Sequence, residues 1–90
     1  MQIQPLQPVE VSLKCGQSQA TCHLIELTDC EMQLTSTDYL EKGSLVVFTS
    51  RFFRGEASIL HLKFCRYHFS YTLKIDFINF QPGLVVNQKL

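Results

Sequence analysis

The sequence predicts an all-β domain, a small six-stranded antiparallel β-barrel with at most one short helical turn. An alternation of apolar and polar residues with a period of two dominates the chain, which is typical of half-buried strands. Turn residues recur at short intervals, and no long segment carries the period of an amphipathic helix. Closure into a barrel would remove the exposed edges that six strands leave in an open sheet. We therefore predict a single domain over residues 1–90.

Six segments carry this alternation and are the predicted strands. They are residues 9–14, 21–27, 32–34, 44–53, 57–67 and 71–80. The first three are short, and they are separated by a turn containing Gly16 and by the polar break Thr28–Glu31. In the second strand, alternation predicts His23, Ile25 and Leu27 on one face.

The second half of the chain is predicted to contain the longer strands. Residues 36–43 precede them and form the only plausible helical segment, a single turn or a loop that Gly43 closes. A turn at Arg54–Glu56 joins the fourth and fifth strands into a hairpin, and residues 68–70 connect to the last strand. A tail follows at residues 83–90, predicted as a frayed strand or one helical turn.

Alternation also predicts which side chains share a face in the last two strands, because successive residues point to opposite sides. In the fifth strand, the predicted apolar face carries Leu60, Leu62 and Phe64. In the last strand, the predicted face carries Tyr71, Leu73, Ile75 and Phe77.

Charge and hydropathy exclude several classes of function. The formal net charge is zero, from 8 Lys+Arg and 8 Asp+Glu, so the chain has no field to hold a polyanion and no nucleic-acid partner is predicted. No apolar run approaches the roughly 20 residues of a membrane helix, so no membrane insertion is predicted. The segment Met1–Pro8 lacks the order of a signal peptide, which favours a cytoplasmic protein.

The cysteines and histidines do not form a pattern that indicates chemistry. The four cysteines are irregularly spaced, and the three histidines do not complete a zinc-ligand pattern, so we predict free thiols, no metal and no cofactor. Adjacent Cys22 and His23 on a strand point to opposite faces and cannot form a nucleophile–base pair. A core of this size leaves no room for a deep cleft. A binding module is therefore expected, not an enzyme.

Arg51, Phe52, Phe53 and Arg54 are the strongest candidates for a protein-interaction surface. Aromatic residues and arginine dominate the energetic hot spots of protein interfaces. The alternative is that one phenylalanine fills the end of the barrel while both arginines are solvated. A homodimer through exposed strand edges or Phe52 also stays open.

The segment Lys63–Tyr71 interleaves basic and aromatic residues, the composition of a platform for single-stranded nucleic acid. Alternation along one strand would divide this set between two faces, with Phe69 and Phe64 on opposite sides. Packing at the core and rim of the barrel is therefore favoured, and a nucleic-acid-binding barrel is an alternative.

Three segments, taken in order, resemble the PilZ domain family, bacterial six-stranded barrels associated with cyclic di-GMP. Ile25–Leu34 is similar to the family's (Asp/Asn)-x-Ser-x-x-Gly motif and its following strand. Tyr39–Val47 is similar to its Leu-x-x-Gly entry into the next strand, and Lys74–Phe80 resembles its closing strand. The resemblance spans about Val9 to Phe80 and implies the barrel fold.

The chain departs from this family where the nucleotide would bind. The family's Arg-x-x-x-Arg segment has no counterpart in Met1–Lys14, which contains glutamines and no arginine. A glutamine cannot offer a phosphate a charged bidentate fork. In the motif, Glu26 stands for Asp or Asn, Thr28 for Ser, and Glu31 for Gly. Weak or no binding of cyclic di-GMP is therefore predicted.

Degenerate PilZ members act as protein-interaction parts, often in type IV pilus or motility systems. The resemblance thus implies a non-enzymatic regulatory module in bacterial signalling that contacts another protein. A cyclic di-GMP receptor with a degenerate site is the alternative, and residues Glu26, Thr28 and Glu31 would form that site.

Overall fold

The computed structural model describes residues 2–80 as an all-β structure, a closed six-stranded antiparallel barrel with one additional strand. The strands are β1 (Gln2–Ile3), β2 (Glu10–Cys15), β3 (Ser18–Thr28), β4 (Glu31–Ser36), β5 (Leu45–Ser50), β6 (Phe53–Cys65) and β7 (His68–Phe80). No helix occurs within residues 2–80. The predicted fold class is confirmed.

The barrel closes through pairing between β3 and β4. Around the cylinder the strands follow the order β3-β2-β5-β6-β7-β4, and β4 then pairs back with β3. The short β1 lies outside this cycle and extends the end of β3, with Gln2 opposite Thr28. Each strand of the cylinder therefore has a partner on both sides over part of its length. The long strand β6 extends beyond the end of its pairing with β5.

One apolar core fills the barrel. Its largest fully buried side chains are Tyr71, Phe48, Phe53, Leu13, Leu27, Met32, Leu34, Ile59, Leu73, Val11 and Cys22. Tyr71 carries a polar atom into this core, and both hydrogen-bonding capacities of its hydroxyl are used. The hydroxyl donates to the carbonyl of Asp38 at 2.7 Å and accepts from the amide of Leu40 at 2.8 Å. Burial nevertheless raises the pKa of Tyr71.

Residues 36–43 contain a loop after the end of β4, not a helical turn. Ser36 donates its hydroxyl to the carbonyl of Thr21 at 2.6 Å, and Asp38 accepts from the amide of Thr21 at 2.9 Å. Both polar side chains therefore bind β3 instead of capping a helix. Gly43 lies at a φ of 87°, where a glycine is favoured.

The predicted turn at Arg54–Glu56 is wrong, because these residues lie within β6. The chain turns earlier, at Arg51 and Phe52, where the Ser50 hydroxyl accepts from the amides of Phe52 at 3.0 Å and Phe53 at 3.2 Å. Gly55 is buried in the strand. A Cβ atom there would overlap the Phe77 carbonyl oxygen and lie 2.7 Å from the ring of Phe48. The glycine thus permits close strand packing rather than a turn.

The connection between β6 and β7 also differs from the prediction. The chain turns at Arg66 and Tyr67, with Cys65 opposite His68, so residues 68–70 belong to β7. Arg66 has a φ of 55°, the conformation that a tight two-residue turn requires. Phe64 and Phe69 become cross-strand neighbours. The predicted division of these two rings between opposite faces is therefore wrong.

Three β-bulges change the predicted faces of the long strands. The register skips Ile25 in β3, Leu60 in β6 and Asp76 in β7. Each extra residue moves the following side chains to the other face. Leu27 consequently lies in the core while Ile25 is exposed, and Phe77 is exposed although Tyr71 and Leu73 are buried.

The predicted tail at residues 83–90 lies outside the described residues. Over residues 2–80, the structure has no helix long and apolar enough to cross a membrane.

Candidate functional site

The N-terminal segment lies against the residues that resemble the nucleotide-binding motif. Pairing of β1 with β3 brings two glutamine side chains to Glu26. The Gln2 amide donates to Glu26 Oε1 at 3.1 Å, and the Gln4 amide donates to the same oxygen at 2.9 Å. The hydrogen bond from Gln4, followed by that from Gln2, lowers the pKa of Glu26. These contacts stabilise the charged form of the Glu26 carboxylate. A carboxylate attracts hydrogen-bond donors and repels the negative charge of a phosphate.

Thr28 uses its hydroxyl to build the turn between β3 and β4. Thr28 Oγ1 accepts from the amide of Glu31 at 3.1 Å and donates to the carbonyl of Glu31 at 3.2 Å. The amide of Ile75 donates to the carbonyl of Cys30 at 2.8 Å and fastens this turn to β7. The motif's hydroxyl therefore has a structural role in this turn.

Glu31 begins β4 with a negative φ, since Arg66 is the only described residue other than glycine with a positive φ. The turn thus does not need the glycine that the resembled motif has at this position. The Glu31 side chain is exposed, opposite Lys74 of β7 in the register. The structure brings Glu26, Thr28 and Glu31 to the same region, with two carboxylates among them.

A second feature is an open groove of about 640 Å³ between the N-terminal segment and the end of β5. Its lining residues are Leu6, Gln7, Pro8, Val9, Glu10, Ser12, Thr49, Ser50, Arg51 and Phe52. Phe52 is half-buried, and the Arg51 guanidinium carbon lies 5.9 Å from the centroid of its ring. This distance is within the range of a cation–π contact. Leu6 of the N-terminal segment also lines the groove and is 73% exposed.

The four residues predicted as an interaction surface are not all on the surface. Arg51 and Phe52 line the groove, and Arg54 is exposed on β6 beside Thr49 in the register. Phe53 is fully buried and packs edge-on against Phe48, with centroids 5.9 Å apart. Phe53 therefore belongs to the core and is removed from the candidate surface.

The N-terminal segment connects the two candidate sites. Its first residues bind Glu26, and residues 6–8 form one wall of the groove. The sequence reasoning did not assign the groove wall to this segment. Pro5 and Pro8 could have indicated this wall from the sequence. Proline interrupts strand pairing, so Leu6 between the two prolines lies outside the sheet.

The cysteines and the acidic side chains of residues 2–80 are described by their burial and by their distance from one another. Burial raises the pKa of the Cys22 thiol from 9.0 to about 11, so it stays protonated at neutral pH and is a poor nucleophile. The four cysteines are free. Among residues 2–80, no three His, Cys, Asp or Glu side chains lie close enough together to hold a metal ion.

An aromatic cluster lies at the opposite end of the barrel from the groove. We define it as Tyr39, Phe64, Phe69 and Tyr71. Phe69 is at its centre, with its ring centroid 5.1 Å from Phe64, 5.5 Å from Tyr39 and 6.2 Å from Tyr71. Phe64 is 61% exposed. The sequence reasoning missed this cluster because it placed the β6–β7 turn two residues too late.

No protein-family model and no curated protein matches this chain in sequence. The resemblance to PilZ domains therefore depends on the three segments described above and stays a prediction.

Proposed function

We propose that this chain is a non-enzymatic PilZ-like domain that acts in the bacterial cytoplasm by contacting another protein. Its role is regulatory, in signalling or in the control of a pilus or of motility, with weak or no binding of cyclic di-GMP. The contact surface is the groove around Arg51 and Phe52, flanked by Arg54.

The groove is the observation that carries this proposal. Phe52 is apolar and half-buried, and the Ser50 hydroxyl accepts from its amide in the turn between β5 and β6. Part of the order that a partner would impose is thus already present, which lowers the entropy lost on binding. Arg51 lies over its ring and can donate to carbonyl or carboxylate groups of a partner. A buried aromatic anchor with surrounding arginine hydrogen bonds is the usual composition of an interface hot spot.

The surroundings of Glu26 support weak or absent nucleotide binding. The Gln2 and Gln4 amides are directed to a carboxylate of the chain itself. A dianionic nucleotide at this place would lie beside Glu26 and Glu31 without an arginine from the N-terminal segment. Like charges in this arrangement oppose binding.

Partner capture with matched variants tests the contact surface. The purified domain, immobilised, is compared with the double variant Arg51→Glu/Arg54→Glu and with Lys42→Glu. Lys42 is an exposed cation of the loop before β5, at the other end of that strand from Arg51. We expect one partner to be retained by the parent and by Lys42→Glu, and its recovery to fall about tenfold or more with the double variant. Equal recovery by all three proteins would refute this surface, provided that circular dichroism confirms their folding.

A calorimetric titration with cyclic di-GMP separates the proposal from a nucleotide receptor. We expect no saturable heat at concentrations up to about 100 μM of nucleotide. A stoichiometric site of micromolar affinity, lost in Glu26→Ala or Thr28→Ala, would instead establish the degenerate-receptor alternative.

A further inference from the structure

The end of β6 presents an unpaired strand edge within the described structure. Pairing with β5 ends at Ser58, and the amide and carbonyl of Ile59 bind Ser44 and Gly43. Beyond the bulge at Leu60, β6 continues to Cys65 and pairs only with β7 among residues 2–80. In an antiparallel ladder every second residue directs its amide and carbonyl away from its partner strand. Residues 61–65 therefore offer backbone donors and acceptors to an additional strand.

The two faces beside this edge differ in chemistry. Leu62 lies opposite Tyr71, and Phe64 lies opposite Phe69, so this face continues into the aromatic cluster. The intervening Lys63 is exposed on the other face. Successive side chains of an added strand would alternate between the face of Leu62 and Phe64 and the face of Lys63.

The hairpin that carries the edge is cationic, although the whole chain is neutral. From Ala57 to Ile75 the sequence contains no Asp or Glu, while Lys63, Arg66 and Lys74 are basic. Tyr67 at the turn is 88% exposed. Lys74 lies opposite Glu31, so Lys63 and Arg66 are the cations beside the edge, and they favour an anionic segment along residues 61–65.

We propose that the β6 edge binds an extended acidic peptide segment of a partner protein by β-strand addition, with apolar and acidic residues alternating in the segment. The backbone groups of residues 61–65 supply the pairing, Leu62 and Phe64 receive the apolar side chains, and Lys63 pairs with a carboxylate. This inference depends on the proposed function, since it names the chemistry of a protein partner, but it uses a surface distinct from the groove.

The charges favour this occupant over a second copy of the chain. Antiparallel pairing of two β6 edges would bring the two Lys63 side chains close together, and like charges on neighbouring strands are destabilising. A lysine on an edge is also a common device against self-association. Single-stranded nucleic acid would use the cations and rings but not the backbone edge.

Fluorescence anisotropy with defined peptides tests the proposal. The probe is a short labelled peptide in which valine and glutamate alternate. The controls are a peptide alternating valine and lysine, and the acidic peptide with N-methyl groups on every second backbone nitrogen. We expect the acidic probe alone to bind. The variant Lys63→Glu should weaken its binding by about tenfold or more and favour the lysine peptide instead.

The groove variant Arg51→Glu separates the two surfaces, because it should leave the affinity of the acidic probe unchanged. If this variant no longer captures a partner but binds the acidic probe with unchanged affinity, the groove and the β6 edge are separate binding surfaces. The β6 proposal is overturned if the acidic probe does not bind at up to about 1 mM. It is also overturned if Lys63→Glu has no effect, or if the N-methylated peptide binds equally well.

The other occupants are distinguished in the same series. Tighter binding of a single-stranded oligothymidylate than of the acidic probe would assign the hairpin to nucleic acid. A homodimer in analytical ultracentrifugation that Lys63→Glu alters would assign the edge to a second copy. Either result would overturn the proposal.

Discussion

At the residue scale, the polar side chains near the degenerate motif bind other parts of this chain. Glu26 accepts from two glutamines, and Thr28 closes the turn into β4. A ligand that used either group would first have to replace these internal hydrogen bonds. The cost of that exchange is one physical reason to expect weak nucleotide binding.

The titration of Glu26 checks this arrangement. We expect its carboxyl to titrate below the ordinary value of 4.5, and the variant Gln4→Ala to raise the pKa toward that value. Because the folded pKa is lowered, the contribution of Glu26 to stability is present above the unfolded pKa and is lost as the pH falls through the folded pKa. Carbon-detected NMR of the Glu26 carboxyl group measures its titration midpoint in the parent protein and in Gln4→Ala.

Gln7→Ala is the matched control, since Gln7 lines the groove and has no hydrogen bond to Glu26 in the structure. An equal shift in Gln7→Ala, or no shift in Gln4→Ala, would contradict the assigned contacts.

At the scale of elements, bulges and tight strand contacts decide which side chains face the core. The bulge at Ile25 brings Leu27 into the core, and the bulge at Asp76 leaves Phe77 exposed. Gly55 lets β6 approach the backbone of β7 and the ring of Phe48. The same strand then continues past its β5 partner and, among residues 2–80, pairs only with β7 there.

The variant Gly55→Ala should be strongly destabilising, because its methyl group has no space between the Phe77 carbonyl and Phe48. We expect a loss of about 3 kcal/mol in the free energy of unfolding, the upper range for overpacking. Urea denaturation followed by circular dichroism provides the measurement.

Gly16→Ala is the control for this substitution. A Cβ at Gly16 meets no atom within 4 Å, but its φ of 60° is unfavourable for alanine. We expect a smaller loss of about 1 kcal/mol. If Gly16→Ala were the more destabilising variant, the close contact assigned to Gly55 would be wrong.

At the scale of the whole molecule, closure of the barrel joins strands that are distant in the chain. β2 pairs with β5, and β4 pairs with both β3 and β7 around one core. Each strand of the cylinder thus depends on partners that fold with it. Non-local pairing of this kind is associated with folding in milliseconds to seconds.

We therefore expect cooperative unfolding in a single transition. The chain has no tryptophan, so the fluorescence of its 3 tyrosines reports on tertiary structure, and far-UV circular dichroism reports on the strands. Coincident urea midpoints for the two signals would support a single cooperative unit. Clearly separated midpoints would show that part of the barrel unfolds independently.

Much of the barrel was predictable because its strands have one buried and one exposed face. Alternation at Val9, Val11 and Leu13 located β2, and the same signal located most of the other strands. The candidate surface was predictable only in part. Arg51 and Phe52 line the groove, whereas Phe53 enters the core, since the turn comes before it rather than after it.

The β class, the neutral charge and the absence of arginine in the N-terminal segment follow from composition and local period. The bulges, the true turns and the surfaces they create follow from the tertiary structure. A bulge adds one residue where two distant strands meet, and its position depends on how both fit the closed barrel. The placement of Leu6 and Phe52 in one groove, and the pairing of Phe64 with Phe69, likewise follow from chain topology and not from local pattern.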